Sequence, residues 1–263
     1  MKKVIEVQNL TKKFGDLTAV DNIDFEVFEG EVFGFLGPNG AGKTTTISML
    51  TTLLAPTSGE AKVAGFDVAR EKDKVRESIG LIFQEPTLDE DLTAWENLKI
   101  HAALYHLPKD LYRQRVEEML KMVKLWDRRG EMVKNYSGGM KRRLEAARGL
   151  LHHPKVLFMD EPTLGLDPQT RTKIWDYVLD LRKREKITLF MTTHYMEEAE
   201  YCDRVAIIDY GKLVAVGTPK QLKKKTKAKK MNDVFLELTG RDIRDEGANR
   251  VERMKSRMGG RFH

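Results

Sequence analysis

Residues 4–10 place apolar side chains at Val4, Ile5, Val7 and Leu10, and residues 20–28 do the same at Val20, Ile23, Phe25 and Val27. Near-alternation marks half-buried strands, and Gly15-Asp16 between the runs supplies a turn, so the pair predicts an antiparallel sheet. Residues 32–36 are continuously apolar and short, as a buried strand is; residues 44–54 follow as a helix-length segment that stops before Pro56. Pro56-Thr57-Ser58-Gly59 reads as a turn, and residues 79–83 form the next apolar strand, running into Gln84-Glu85-Pro86. From about 91 to 151 the pattern becomes helical. Thr93-Ala94-Trp95-Glu96 is a capping box, residues 111–125 carry Val116, Met119, Leu120 and Val123 on one helix face, and residues 141–151 turn Leu144, Ala147 and Leu151 inward. Short apolar strands return at 156–159, 187–191, 204–209 and 212–216, with a helix from Pro168 to about 183 between the first two. After a short capped helix at 218–225 and a small apolar segment at 233–238, the charged tail reads as unstructured or loosely docked. The predicted architecture is α/β, with an antiparallel β region in front and a helical insert inside.

Composition narrows the class. At 263 residues and 41% hydrophobic content the chain can fill one large core or two small ones. No apolar run reaches the ~18 residues that a membrane helix needs, and Glu6 interrupts any leader-type core, so a soluble, intracellular chain is expected. The single cysteine, Cys202, cannot form an internal disulfide and reads as a core thiol. Net charge is +6, yet residues 223–230 alone hold six lysines and no acid, which leaves the remainder neutral. A broad nucleic-acid-binding face is therefore not expected; the lysine cluster reads as a solvated linker, with anionic lipid as the alternative contact.

The chemistry concentrates in Gly37-Pro38-Asn39-Gly40-Ala41-Gly42-Lys43-Thr44-Thr45, which fits G-x-x-x-x-G-K-[ST] between a strand and a helix. The glycines let successive backbone N–H groups approach phosphate oxygens, and the helix that opens there adds its positive dipole end. Lys43 suits the β- and γ-phosphates, and the Thr44 hydroxyl suits Mg²⁺. Residues 156–159 run directly into Asp160-Glu161, acids at the end of a buried-type strand: the former fits a Mg²⁺ ligand, the latter a group that orients water. Gln84 and His194 also sit at carboxyl strand ends, where ligands bind in open α/β sheets, though either alone is a weak signal. Ser137-Gly138-Gly139 reads by itself as an ordinary capped helix start, which is also an anion site; Lys141-Arg142-Arg143 behind it reads as a solvated face. Phe14, isolated on its turn, reads as core more readily than as a base-stacking ring.

In this order and spacing, residues 1 to about 225 resemble the ATP-binding cassette family, the ATPase subunits of ABC transporters. The set is Phe14, the phosphate loop Gly37 to Thr45, Gln84, Tyr136-Ser137-Gly138-Gly139-Met140, Asp160-Glu161, Leu166-Asp167 and His194. The resemblance implies a P-loop NTPase fold of RecA type: a cassette over 1–225 with helices at about 91–151 inserted in its core, then a lysine-flanked extension, 226–263. It implies MgATP as substrate and cofactor, with Phe14 stacking on the base. Thr44, Asp160 and Gln84 would lie around the metal, Glu161 would be the general base, and His194 would contact the γ-phosphate. It also implies a head-to-tail homodimer in which Ser137, Gly138 and Gly139 of one subunit close over the phosphate loop of the other, and a permease subunit that brings the pair to the cytoplasmic face of the membrane. The family's usual signature has Leu and Gln where this chain has Tyr136 and Met140, and its stacking Tyr is Phe14 here. Phe83-Gln84-Glu85-Pro86-Thr87-Leu88, residues 194–200 and residues 233–240 resemble the drug- and antibiotic-exporter branch, so export is the expected direction. A cassette clamp acting on ribosomes or DNA is the alternative; such relatives usually carry two cassettes or a long coiled coil.

Overall fold

A computed structural model describes residues 2–83, 87–164 and 168–240, apart from the side chains of Thr170, Lys173 and Leu181. Strands β1 (Lys3–Phe14) and β2 (Leu17–Phe28) pair antiparallel around Gly15-Asp16, with Phe14 opposite Leu17. Their alternation is imperfect because the register slips between Val7 and Leu10, where Asn9 takes a φ of 50°. Asn tolerates that left-handed conformation, and the bulge returns Leu10 to the buried face that Val7 occupies. Residues 58–78, read from sequence only as following a turn, contain β4 (Ser58–Val63), β5 (Phe66–Asp67) and α2 (Lys72–Ser78). β4 buries just Ala61 and Val63, too few apolar positions to register as a pattern. The four strands form one sheet in the order β2-β1-β4-β5.

The second sheet holds the centre of the molecule. Its order is β10-β9-β3-β8-β7-β6, built from β3 (Val32–Leu36), β6 (Ile79–Ile82), β7 (Val156–Asp160), β8 (Thr188–Thr193), β9 (Arg204–Asp209) and β10 (Lys212–Gly217). All neighbours run parallel except β10, which turns back antiparallel on β9. Side chains alternate across this sheet, so its apolar runs serve two cores. Phe33, Phe35, Phe158 and Phe190 join Phe25 of β2 on one face, with neighbouring ring centroids 5.3–6.1 Å apart, and α1 (Lys43–Leu50) lies in the same layer. Val32, Leu36, Leu157, Met159, Leu189 and Met191 face the helices on the other side. α1 is shorter than the 44–54 span expected from sequence, because the chain leaves the helix at Thr51 and Thr52 adopts a φ of 65°.

Between β6 and β7 the chain forms α3 (Ala94–Leu104), α4 (Lys109–Met122) and α5 (Gly138–Leu150), the helical insert. The expected capping box is present: Thr93 accepts from the Glu96 amide and Glu96 reaches back to the Thr93 amide. The face Val116, Met119, Leu120, Val123 is fully buried. One expectation is overturned here. Lys141-Arg142-Arg143 is not a solvated face: Lys141 pairs with Glu90, Arg142 donates to the carbonyls of Phe83 and Pro162, and Arg143 donates to the carbonyl of Val123. The first turns of α5 lie among loop ends whose carbonyls need donors, and these side chains supply them. α6 (Pro168–Glu185) follows β7; Asp167, immediately before it, lies outside the described residues. α7 (Pro219–Thr226) and α8 (Met231–Thr239) close the described chain, with Met231, Val234 and Phe235 buried in the same core as Trp175 and the thiol of Cys202.

α5 meets β6 at a crossing too close for side chains. A Cβ on Gly80 would stand 2.1 Å from the carbonyl oxygen of Gly149, an impossible separation. Gly80→Ala should therefore cost about 1–3 kcal/mol through overpacking, lowering Tm by about 2–4 °C for each kcal/mol in a thermal melt. An unchanged melting curve would contradict this contact.

Candidate active site

Adjacent parallel strands deliver the polar residues to one place. Leu36 is opposite Thr193 and Asp160 is opposite Thr192, so the carboxyl ends of β3, β8 and β7 lie side by side. From these three ends come the loop 37–42, His194, and Asp160-Glu161. The loop then opens α1 at Gly42, whose φ of 105° suits only glycine and whose Cβ would lie 2.5 Å from the Ala19 carbonyl. α1 has no side-chain cap and no acid in its first turn, so its leading N–H groups are available to an anion.

Lys43, at 4% exposure, is the centre of the site. Its Nζ donates to the carbonyls of Gly37 (2.9 Å) and Pro38 (3.0 Å) and pairs with Glu161 Oε1 at 3.0 Å. Three donors are thus fully used within the chain. The other carboxylate oxygen, Oε2, lies 3.0 Å from His194 Nδ1, a hydrogen bond in the Nδ1–H tautomer. Burial by itself pushes the Glu161 carboxyl upward. The His194 hydrogen bond and the Lys43 charge outweigh it and bring the group down to about 2. Its backbone is held as tightly: Glu161 adopts a φ of 46°, and its amide donates to both the carbonyl (3.2 Å) and Oγ1 (3.0 Å) of Thr192. The same Thr192 hydroxyl donates to Asp160 Oδ1, which also accepts from Thr44 Oγ1 at 3.4 Å.

Around these groups lies a cavity of about 510 Å³, lined by Phe14, Leu17, Asn39, Lys43, Thr45, Glu161 and their neighbours. Phe14 is 48% exposed on its wall, so the core reading of this ring fails: the β1–β2 turn projects it beyond the sheet. The structure therefore brings together Phe14, the loop, Thr44, Asp160, Glu161 and His194. Gln84 lies outside the described residues, between Phe83 and Thr87, and so do Leu166 and Asp167.

Ser137 and Gly139 line a different cavity, about 730 Å³, between the end of α4, α5 and α6. Ser137 caps α5 by accepting from the Met140 amide at 3.3 Å. The unusual flanks of this turn face inward: Tyr136 donates its hydroxyl to the Arg128 carbonyl at 2.8 Å, and Met140 Sδ lies 3.3 Å from Arg128 Nη1. The residue that sequence reasoning passed over is Thr192, which lies just past the strand expected at 187–191. Its signal is a polar side chain in a strand buried throughout, a position that requires a partner.

Comparison with known proteins gives the same grouping. Residues 20–164 match the family model described as ABC transporter. A daunorubicin resistance ATP-binding protein of Streptomyces coeruleorubidus is 44% identical over 234 residues, covering 89% of this chain and 74% of that protein. A Nod factor export ATP-binding protein of Cupriavidus metallidurans is 42% identical over 84% of this chain and 73% of its own length. Among solved structures, a dimeric ATP-binding cassette in a post-hydrolysis state, bound to ADP and Pi, superposes with a TM-score of 0.72 at 28% identity, covering 81% of this chain and 98% of that one.

The depressed Glu161 carboxyl makes a prediction for the ligand-free protein. With a folded value of about 2 against an ordinary 4.5, its contribution to stability is complete above pH 4.5 and disappears as pH falls toward 2. In chelator-treated protein, Glu161→Gln should flatten the loss of stability across that window, measured by denaturant unfolding at successive pH values. Parallel curves for the two proteins would refute the assignment.

Proposed function

This chain belongs to the ABC transporter family, and from that premise we propose that it is the ATP-hydrolysing subunit of an exporter, working as a homodimer beneath a separate permease subunit. The observation that carries the proposal is the separation of two anion sites in one chain. The phosphate loop and its acids line one cavity, while Ser137 and Gly139 line another. Two copies arranged head to tail bring the Ser137-Gly138-Gly139 turn of one to the loop of the other, and the similar cassette with ADP and Pi is itself dimeric. The direction of transport rests on relatives whose names concern drug resistance and export. No helix among the described residues is long and apolar enough to cross a membrane. The proposal assigns the membrane path to the permease, which holds the dimer at the cytoplasmic face.

The residues present fit Mg²⁺. Thr44 and Asp160 offer hard oxygen donors 3.4 Å apart, and no group of three or more His, Cys, Asp or Glu among the described residues forms a protein cage. Thr44 and Asp160, with Gln84 as the further proposed ligand, would hold a Mg²⁺ whose other ligands would be water and substrate phosphates. When bound, it neutralises charge on the β- and γ-phosphates. The chain's own residues do the rest. Phe14 stacks on the base. The loop amides and Lys43 hold the phosphates, and in doing so take Lys43 from Glu161. Without that neighbouring cation the carboxylate becomes more basic and accepts a proton from the water that attacks the γ-phosphate in line. His194 orients Glu161 through Nδ1 in the ligand-free site and contacts the γ-phosphate in the loaded one. Cleavage to ADP and phosphate removes the bridging group, and the dimer opens.

Glu161→Gln should bind MgATP, lose about 10²-fold or more in turnover, and elute as a dimer in saturating MgATP. Ser137→Arg should abolish turnover while leaving nucleotide binding to the monomer intact. A Glu161→Gln protein that stays monomeric, together with a Ser137→Arg protein of normal turnover, would sink the sandwich. Salt-sensitive binding to ribosomes or DNA, with no membrane protein co-purifying, would favour the clamp instead.

A further inference from the structure

α5 begins at the Ser137 turn, and one helical turn later it presents Arg142, whose side chain is 11% exposed. That guanidinium serves carbonyls from two separate strand ends. Nη1 donates to Phe83 O at 2.6 Å, Nε to Pro162 O at 2.9 Å, and Nη2 to Glu161 O at 3.5 Å. Its charge is met by Glu145 Oε2 at 2.9 Å, a carboxylate with no exposure at all. Glu145 Oε1 in turn accepts from the Thr87 amide at 2.9 Å, while Arg148, further along α5, donates to the Thr87 carbonyl at 2.7 Å and to its hydroxyl. One helix therefore grips Phe83 and Thr87, the two residues that flank 84–86, as well as the carbonyls of Glu161 and the residue after it. A buried ion pair is a costly means of holding two loops, and hydrophobic packing would stabilise α5 at least as well. What the fork adds is a fixed distance between the Ser137 turn and the backbone of Glu161.

We propose that Arg142, supported by Glu145, is a positioning residue that couples the Ser137 turn to Glu161 of the same chain. The inference rests on the dimer reading for what the Ser137 turn senses, namely the nucleotide held by the partner. An α-helix is stiff over one turn, so a displacement of α5 at Ser137 arrives at Arg142 undiminished and moves the Glu161 and Pro162 carbonyls. Glu161 receives such movement directly, because its own carbonyl and that of Pro162 accept from the Arg142 guanidinium immediately after β7. Occupation of one site is thereby transmitted to the base of the other, and a misplacement of about 1 Å at a reacting group costs as much as ~10²-fold in rate.

The test uses steady-state turnover of the full chain against MgATP concentration. Arg142→Met should lower kcat about 10²-fold with KM changed by no more than about threefold, and should bring the Hill coefficient to 1 where the unmodified protein exceeds 1. Because Arg142→Met strands the Glu145 charge, Arg142→Met/Glu145→Gln is measured beside it: this pair is neutral and keeps an acceptor for the Thr87 amide. Arg142→Lys keeps the charge and loses the fork, and should remain at least about tenfold below the unmodified protein. Recovery of full turnover in the neutral pair would show that Arg142 only neutralises Glu145; recovery in Arg142→Lys would show that charge alone suffices. Either result overturns the proposal. Size exclusion of Glu161→Gln in MgATP separates the underlying reading: a monomer there withdraws the partner's nucleotide as the signal, while the kcat of Arg142→Met still decides whether Arg142 positions Glu161.

Discussion

A lysine ammonium buried to 4% exposure must be neutralised from within the protein when no substrate anion is present, and that demand organises this site. Lys43 meets it with two carbonyls of its own loop and with the carboxylate of Glu161. The consequence reaches into catalysis. The group proposed as general base is held at about 2, tied to Lys43 on one side and His194 on the other, and is a poor base in that state. Phosphate is the natural competitor for Lys43, so binding the substrate and freeing the base become a single event. An unliganded site of this kind has little capacity for premature chemistry.

The supporting geometry follows from strand adjacency. Because β3, β8 and β7 are parallel neighbours, their last residues form a row, and Thr192 stitches that row together by serving Asp160 through its hydroxyl and receiving the Glu161 amide on both of its oxygens. A left-handed φ at Glu161 is retained because these bonds over-determine it. On the other side of the sheet, α5 approaches β6 at a glycine–glycine crossing and sends Arg142 to the ends of β6 and β7. The Ser137 turn and Glu161 therefore share one mechanical support although they line different cavities. That shared support suits the paired action proposed for this chain.

How much of this was legible in the chain depends on whether a residue's partner is near it in sequence. The phosphate loop, the capping box at Thr93, the Ser137 cap and the Asp160-Glu161 strand end are local constructions, and each appears where its pattern indicated. β4 and α2 were not legible, since a short edge strand with two buried side chains and a seven-residue helix bury too little to leave a period. Phe14 and Lys141-Arg142-Arg143 were misread for the opposite reason. Residue type argued for core in the first case and for solvent in the second, but a projecting turn and a cluster of unpaired loop carbonyls decided otherwise.

By itself, the sequence determined the inventory: which residues are candidates for phosphate, metal and proton chemistry, and that strand ends present them, because those signals reside in short-range spacing and backbone conformation. Only the tertiary structure decided their connections. That Lys43 neutralises Glu161, that Thr192 binds both acids, and that Arg142 reaches across 59 residues to the Phe83 carbonyl are consequences of sheet order and helix docking, which bring together positions that no local period relates.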